Sequence, residues 1–224
     1  MKNSPLFLFT KMNINGYILV GGKSSRMQTD KANLKLKDKT FAEIARDSMK
    51  SVSDKISFLV GENKKTLEFD APQVIDIYQN KGALGGIHAG LSESQNNIDA
   101  TWICVLACDY PFVSGKLLQR LASLINEKLD AVVPIQPDER TQPLCAFYKI
   151  EKCLEIAERM LSGNDESHAP SMRDFLDNLN VRFVEFAEIA DLPNSENFFF
   201  NVNTPEDFDY ANEINLIPIV TAEP

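Results

Sequence analysis

Short apolar runs alternate with amphipathic segments along the first 130 residues of the chain. The apolar runs predict buried strands, because strands covered by helices on both faces read as continuous apolar stretches. These strands are predicted at Tyr17–Val20, Ile56–Val60, Gln73–Ile77, Thr101–Ala107 and Asp130–Pro134. Alternation of strands and helices is typical of a mostly parallel sheet wrapped by helices.

The segments between these runs predict helices, and the one after Thr40 has the clearest start signal. Thr40 followed by Glu43 matches a capping box for a helix that reaches about Val52. Ser114 is predicted to cap a helix that ends near Lys128. Further helices are predicted at about 87–94, 150–161 and 170–179, and from Pro205 with Thr204 as its cap.

The last third of the chain adds strands to the same sheet. Pro143–Tyr148 and Val181–Phe186 read as strands, one of which we expect to be antiparallel. The predicted fold class is therefore α/β, a single three-layer α/β/α domain with a mostly parallel central sheet. We expect this domain to cover residues 14–216, with an N-terminal extension at 1–13 and a tail at 217–224.

Composition narrows the range of partners. The 224 residues carry a net charge of −9, which argues against nucleic acid or an anionic membrane surface as a partner. No 18-residue apolar stretch predicts a membrane span. The four cysteines lack zinc spacing, and Cys104 and Cys108 are predicted to be buried free thiols. We therefore expect a reducing compartment, the cytoplasm.

The first candidate site is the segment from Gly16 to Lys31. Its apolar strand ends in Gly21 and Gly22, and cations follow at Lys23, Arg26 and Lys31. A strand that ends in a glycine turn rich in cations is how α/β proteins hold the phosphates of a nucleotide. The segment is not a Walker A motif, because Tyr17 stands where that motif needs glycine. It also lacks the third glycine of a dinucleotide fingerprint.

Asp109 is the second candidate site residue. It follows the most apolar strand, at the edge where open α/β sheets bind ligands. A carboxylate there suits Mg²⁺ bound to a triphosphate. The alternative is an ordinary turn aspartate before Pro111.

The third candidate is the stretch Gly82–Gly86, which holds three glycines in five residues. Such a stretch can bring backbone close to a base or a ribose, and the alternative is an ordinary loop that leads into a helix. His88, just beyond it, is predicted to be a packing or surface residue.

With these motifs in hand, the chain resembles a known family. The run LVGGKSSRMQTDK resembles the signature of nucleotidyltransferases with a Rossmann-like GT-A fold, and more closely that of the molybdenum cofactor guanylyltransferases of the MobA type. Residues 81–91 are similar to a helix start of that family. Residues 142–148 resemble its Q-P-L-x-A-x-Y strand, and residues 201–207 its N-x-N-T-P-E-D segment. The resemblance covers about Gly16 to Tyr210.

The resemblance implies a Rossmann-like nucleotide-diphospho-sugar transferase fold and an enzyme that transfers GMP from GTP to molybdenum-molybdopterin, with release of pyrophosphate. It implies Mg²⁺ as the cofactor, and other cofactor-biosynthesis proteins become candidate partners. The implied catalytic residues are Arg26, Lys31 and Asp109, of which Asp109 binds the metal. The implied nucleotide-binding residues are Leu19, Val20, Gly21, Gly22, Lys31, Asp76, Gly85 and Asp109. The residues implied near the acceptor or the phosphates are Gln142, Asn201 and Asn203.

Alternatives stay open at this point. Gln28 and Asn33 depart from the family pattern, and Gln28 puts a side chain where backbone commonly approaches the ligand. A cytidylyltransferase that acts on molybdopterin or on a sugar or polyol phosphate is the nearest alternative, although Gly21-Gly22 favours GTP. Glu62, an acidic residue after the second predicted strand, leaves a nicotinamide-binding oxidoreductase as an alternative. Gln28 leaves a non-catalytic nucleotide-binding protein of the same fold as another.

Overall fold

A computed structural model describes residues 13–20, 31–61, 67, 70–78, 80–96, 99–163 and 170–216. Its strands are β1 (Ile14–Leu19), β2 (Lys35–Leu36), β3 (Lys39–Thr40), β4 (Lys55–Val60), β5 (Gln73–Ile75), β6 (Trp102–Ala107), β7 (Ala131–Pro134), β8 (Cys145–Lys149) and β9 (Val181–Val184). Its α-helices are α1 (Phe41–Met49), α2 (Gly82–Gln95), α3 (Gly115–Ala122), α4 (Ile150–Leu161), α5 (Met172–Asp177) and α6 (Pro205–Leu216).

Seven strands form one sheet in the order β5-β4-β1-β6-β8-β7-β9, and β2 pairs with β3 in a separate hairpin. Within the large sheet, β8 runs antiparallel to both β6 and β7, and the other strands run parallel to one another. The mostly parallel sheet with one antiparallel strand confirms the prediction. The carboxyl ends of six strands consequently share one edge of the sheet, where β8 begins. We call it the carboxyl edge.

Helices cover both faces of the sheet, which gives the three predicted layers. One core cluster joins one sheet face to α1, α3 and α6, and a second joins the other face to α2, α4 and α5. Side chains that alternate along each strand supply both clusters: Ile18 enters the first and Tyr17 the second. Strand β6 lies near the middle and is buried along its whole length, in agreement with its continuous apolar sequence.

Two helix starts follow the local sequence signals. The side chain of Thr40 accepts from the backbone N–H of Glu43, and the carboxylate of Glu43 accepts from that of Thr40, which confirms the capping box. Ser114 caps α3 as expected, but this helix ends at Ala122 and not near Lys128. The segment beyond it forms successive turns, in which Asn126 Oδ1 accepts from the N–H of Lys128.

The predicted start of α2 was wrong. The helix begins at Gly82, within the glycine-rich stretch, and not near Ile87. Tertiary packing explains the difference. A Cβ built on Gly90 would lie 3.0 Å from the ring of Tyr17, and one on Gly86 would lie 3.3 Å from Leu19. The missing side chains let α2 lie close to β1, and this packing outweighs the low helix propensity of glycine.

The cysteines and the helix lengths bear on two expectations drawn from the composition. All four cysteines are free and buried, as predicted for Cys104 and Cys108. Within the described ranges, no helix has the length and apolar character needed to cross a membrane.

Candidate active site

Three predicted site residues from distant parts of the chain meet at the carboxyl edge. Lys31 begins a short 3-10 helix, Lys31–Asn33. Its Nζ donates to Asn203 Oδ1 at 2.7 Å and lies 3.4 Å from Asp109 Oδ2. The partners are 172 and 78 positions away in sequence, so the fold alone creates this cluster. It gathers one cation, one carboxylate and one amide.

Asp109 lies just beyond β6, and its backbone carbonyl accepts from the N–H of Val202 at 3.0 Å. Burial raises the pKa of its carboxyl, and the charge of Lys31 opposes that shift. Its Oδ1 atom is buried and has no hydrogen-bond partner within the described part of the chain. A buried carboxylate oxygen without a partner is costly, so the site is built to receive a cation or a donor.

Asn201 and Asn203 flank Val202, the buried residue that fastens this segment to Asp109. Asn201 lies beside the carboxylate and lowers the pKa of Asp109, and its own Oδ1 is also buried without a partner among the described residues. The N–H of Asn203 donates to Asp207 Oδ2 at 2.8 Å, at the start of α6. The start of this helix therefore holds the asparagine segment in place.

The oxygens of Asp109 and Asn201 fit a hard cation such as Mg²⁺. Both unpartnered atoms are oxygens, which is the ligand type that Mg²⁺ prefers. Among the residues that the structure describes, no group of three or more acidic, histidine or cysteine side chains forms a cage for a metal. A cation bound at Asp109 would thus take its remaining ligands from water or from a phosphate-bearing ligand.

Asp76 and Gly85 meet on the other side of β1, after β5. Asp76 Oδ1 accepts from the N–H of Tyr78 at 2.9 Å, and burial raises the pKa of this carboxyl. A Cβ built on Gly85 would lie 2.7 Å from Asp76 Oδ2 and 2.8 Å from the carbonyl oxygen of Tyr78. The carboxylate can lie against the first turn of α2 only because residue 85 has no side chain.

Leu19 and Val20 lie at the end of β1, on the same edge as Asp109. The N–H of Val20 donates to the carbonyl of Leu59 at 3.1 Å, and the carbonyl of Leu19 accepts from Cys108 at 3.0 Å. Of the other predicted residues of this loop, Gly21, Gly22 and Arg26 lie outside the described residues, as does Gln28.

Gln142 is buried just before β8, also at the carboxyl edge. Its Oε1 accepts from the hydroxyl of Tyr110 at 2.8 Å. Sequence reasoning did not single out Tyr110, although it directly follows Asp109. The contact joins residues 32 positions apart, and no local pattern signals it.

His88 is a buried residue of α2, as expected of a packing residue. Its ring contacts Tyr78 edge to face with centroids 4.8 Å apart, and its Nε2 lies 3.9 Å from Glu158 on α4. It therefore supports the turn that carries Asp76 without itself belonging to the cluster at Asp109.

The chain is similar to proteins of one family along most of its length. A probable molybdenum cofactor guanylyltransferase of Geobacillus is 32% identical over 87% of this chain and 95% of its own length. A molybdenum cofactor guanylyltransferase of Desulfosudis oleivorans is 30% identical over 88% of this chain and 94% of its own length.

Among solved structures, the molybdopterin-guanine dinucleotide biosynthesis protein A of Archaeoglobus fulgidus superposes with a TM-score of 0.74 at 25% identity, over 90% of this chain and 98% of that one. Residues 16–182 match the model of the MobA-like NTP transferase domain, and this chain belongs to that family of nucleotidyltransferases.

Proposed function

We propose that the protein transfers GMP from GTP to molybdenum-molybdopterin, releases pyrophosphate and forms the guanine dinucleotide of the cofactor. The observation that carries this proposal is the cluster of Lys31, Asp109 and Asn203 at the carboxyl edge. It offers a cation for phosphate oxygens and a buried carboxylate for a metal, at the edge of the sheet where β1 ends. The names of the relatives supply the nucleotide and the acceptor.

The reaction requires positioning and charge neutralisation more than proton transfer. The terminal phosphate of the acceptor attacks the α-phosphorus of GTP as the bond to pyrophosphate breaks. A phosphate monoester is already ionised at neutral pH, so the nucleophile needs no side-chain base. Lys31, with Arg26, stabilises the charge of the triphosphate and of the departing pyrophosphate.

Asp109 would hold Mg²⁺, and the unpartnered oxygen of Asn201 is a second candidate ligand. When bound, the ion supplies neutralisation of phosphate charge. The remaining contribution of the chain is to keep Lys31 and Asp109 in fixed positions. The hydrogen bond from Lys31 to Asn203 and the tie between Asp109 and Val202 provide that rigidity.

The nucleotide would occupy the half of the carboxyl edge that lies towards β5, and the acceptor the half towards β7. The proposed nucleotide-binding residues are Leu19, Val20, Gly21, Gly22, Lys31, Asp76, Gly85 and Asp109. The proposed acceptor and phosphate contacts are Gln142, Asn201 and Asn203. The domain of residues 14–216 then divides between an N-terminal nucleotide part and a C-terminal acceptor part.

A turnover panel tests the choice of nucleotide. With molybdopterin and Mg²⁺ present, we expect pyrophosphate release with GTP to exceed that with CTP, ATP or UTP by at least about tenfold. Preference for CTP would instead support a cytidylyltransferase. GTP binding without turnover would support a non-catalytic role, and saturable binding of NADH would support an oxidoreductase.

The proposed setting is the cytoplasm, where buried free thiols stay reduced. The proposed partners are GTP and molybdopterin, with other cofactor-biosynthesis proteins as candidates. The net charge of −9 argues against nucleic acid or a membrane surface as a partner.

A further inference from the structure

Gln142, a proposed acceptor contact, forms a buried polar contact with Tyr110, a residue to which the proposed function gives no role. The phenol oxygen lies 2.8 Å from Gln142 Oε1. A tyrosine hydroxyl keeps its proton at neutral pH, so the Tyr110 oxygen has a hydrogen to donate. The hydroxyl is then the donor, and the acceptor must be the carbonyl oxygen of the glutamine amide.

This contact fixes which way the Gln142 amide points. With Oε1 turned towards Tyr110, the Nε2 group and its two donors lie on the opposite side of the amide. Within the described residues, Nε2 has no hydrogen-bond partner, yet it is not one of the fully buried unpartnered atoms. Because Nε2 has no partner there and is not fully buried, it belongs to the 6% of Gln142 that is exposed.

The backbone around Gln142 is held as firmly as its side chain. Its N–H donates to the carbonyl of Pro134 at 2.9 Å, and its carbonyl accepts from the N–H of Cys145 at 3.0 Å. These bonds join the end of β7 to the start of β8. The donor therefore has a fixed position on rigid elements, and not on a free loop.

The strand order places this donor opposite the nucleotide half of the site. β1 lies on one side of β6, and β5, which Asp76 follows, lies further out on that side. β8 and β7 lie on the other side, so Asp109 stands between Asp76 and Gln142 along the carboxyl edge. The proposed function assigns the β5 side of Asp109 to the nucleotide. A ligand group that reaches both Asp109 and Gln142 would therefore belong to the second substrate, the acceptor.

We propose that Tyr110 is a positioning residue, which holds the Gln142 amide so that Nε2 donates to an oxygen of the acceptor's phosphate. Asn201 lies beside both Asp109 and Tyr110. The ligand class assigned to this subsite is a phosphate monoester. The inference rests on the proposed guanylyl transfer.

Steady-state kinetics of Tyr110→Phe test the inference, with GTP and molybdopterin varied separately. Loss of one neutral hydrogen bond corresponds to roughly a two- to tenfold change. We expect the KM for molybdopterin to rise about fivefold, with kcat and the KM for GTP each within about twofold of wild type. Tyr17→Phe is the matched control, because its hydroxyl bonds Ser94 at 2.7 Å, away from the carboxyl edge.

A second variant, Gln142→Glu, keeps an oxygen for the Tyr110 hydroxyl but replaces both donors with negative charge. We expect the KM for molybdopterin to rise by at least about tenfold, because a carboxylate repels phosphate. Gln119→Glu on the exposed side of α3 adds the same charge elsewhere and should leave both KM values unchanged. This variant tests the inference even if Tyr110→Phe folds poorly.

The outcomes separate the inference from the proposed function. An unchanged KM for molybdopterin in Gln142→Glu, or an equal rise in both KM values in Tyr110→Phe, would overturn the inference while wild type still transfers GMP. Wild type that transfers no GMP to molybdopterin would overturn the proposed function itself.

Discussion

The ammonium group of Lys31 lies 3.4 Å from Asp109 Oδ2, and only 16% of the lysine side chain and 21% of the aspartate side chain are exposed. An ion pair this far from solvent differs from an exposed one, because screening is weaker and each charge depends on its partner. The charges that the proposed reaction uses are therefore held in place before any ligand binds.

Lys31→Ala should lower kcat/KM for GMP transfer at least about a hundredfold, because loss of one fixed charge-stabilising group typically costs a factor of that size. Pyrophosphate release with GTP, Mg²⁺ and molybdopterin measures it. Lys39→Ala is the matched control, since Lys39 Nζ pairs with Asp47 at 2.6 Å on an exposed surface and should change activity less than about twofold. Near-wild-type transfer by Lys31→Ala would show that the residue does not act on the phosphates.

Asp109→Asn should separate stability from activity. Burial raises the pKa of Asp109 above its ordinary value of 3.8, so its charged form costs stability at every pH above the folded-state pKa. The amide removes that cost but also takes the counter-charge from the buried ammonium of Lys31, so we expect a melting temperature close to that of wild type. Transfer activity and the effect of added Mg²⁺ on GTP binding should both be lost. A variant that stays active with unchanged Mg²⁺ dependence would contradict the metal-binding role.

Gly85→Ala should weaken GTP binding more than folding. The added methyl would lie 2.7 Å from Asp76 Oδ2 and 2.8 Å from the carbonyl oxygen of Tyr78, so the carboxylate and the turn after it must both move. We expect the KM for GTP to rise roughly tenfold by titration of turnover, while alanine partly offsets the strain by its higher helix propensity. Gly163→Ala, where the nearest atom is the carbonyl oxygen of Met160 at 3.8 Å, should leave the KM unchanged. Equal KM values in both variants would exclude Asp76 from the nucleotide site.

His88 should make the fold sensitive to acid. Burial lowers the pKa of His88 below its ordinary value of 6.5, and the nearby Glu158 opposes the shift. The unfolded chain then binds more protons than the folded chain, so stability falls as pH drops below about 6.5, by up to about 1.4 kcal/mol per pH unit. Urea unfolding at pH 7.5 and 5.5 measures this loss. His88→Phe keeps a ring against Tyr78 and should show a smaller loss, whereas an identical loss would assign the effect to other groups.

Local signals predicted much of the fold. The capping box of Thr40 and Glu43 and the helix Ile150–Leu161 are present as expected, since each depends on neighbours within a few turns. The start of α2 at Gly82 could not be read locally, because it depends on contacts with Tyr17 and Leu19 on a distant strand.

Part of the candidate site could also be predicted from local sequence, and part could not. Asp109 was identifiable because the end of a buried strand is a known ligand position. Its contact with Lys31, and that of Lys31 with Asn203, follow from the sheet order and the placement of α6, which no short pattern encodes. The contact of Tyr110 with Gln142 could not be predicted, because it joins a buried hydroxyl to a glutamine 32 positions away across the sheet edge.

Pyrophosphate release from GTP and Mg²⁺, measured with and without molybdopterin, tests the proposed function most directly. The account predicts release that depends on the acceptor and is accompanied by an equal amount of guanine dinucleotide. Release at the same rate without molybdopterin, or none in its presence, would contradict it.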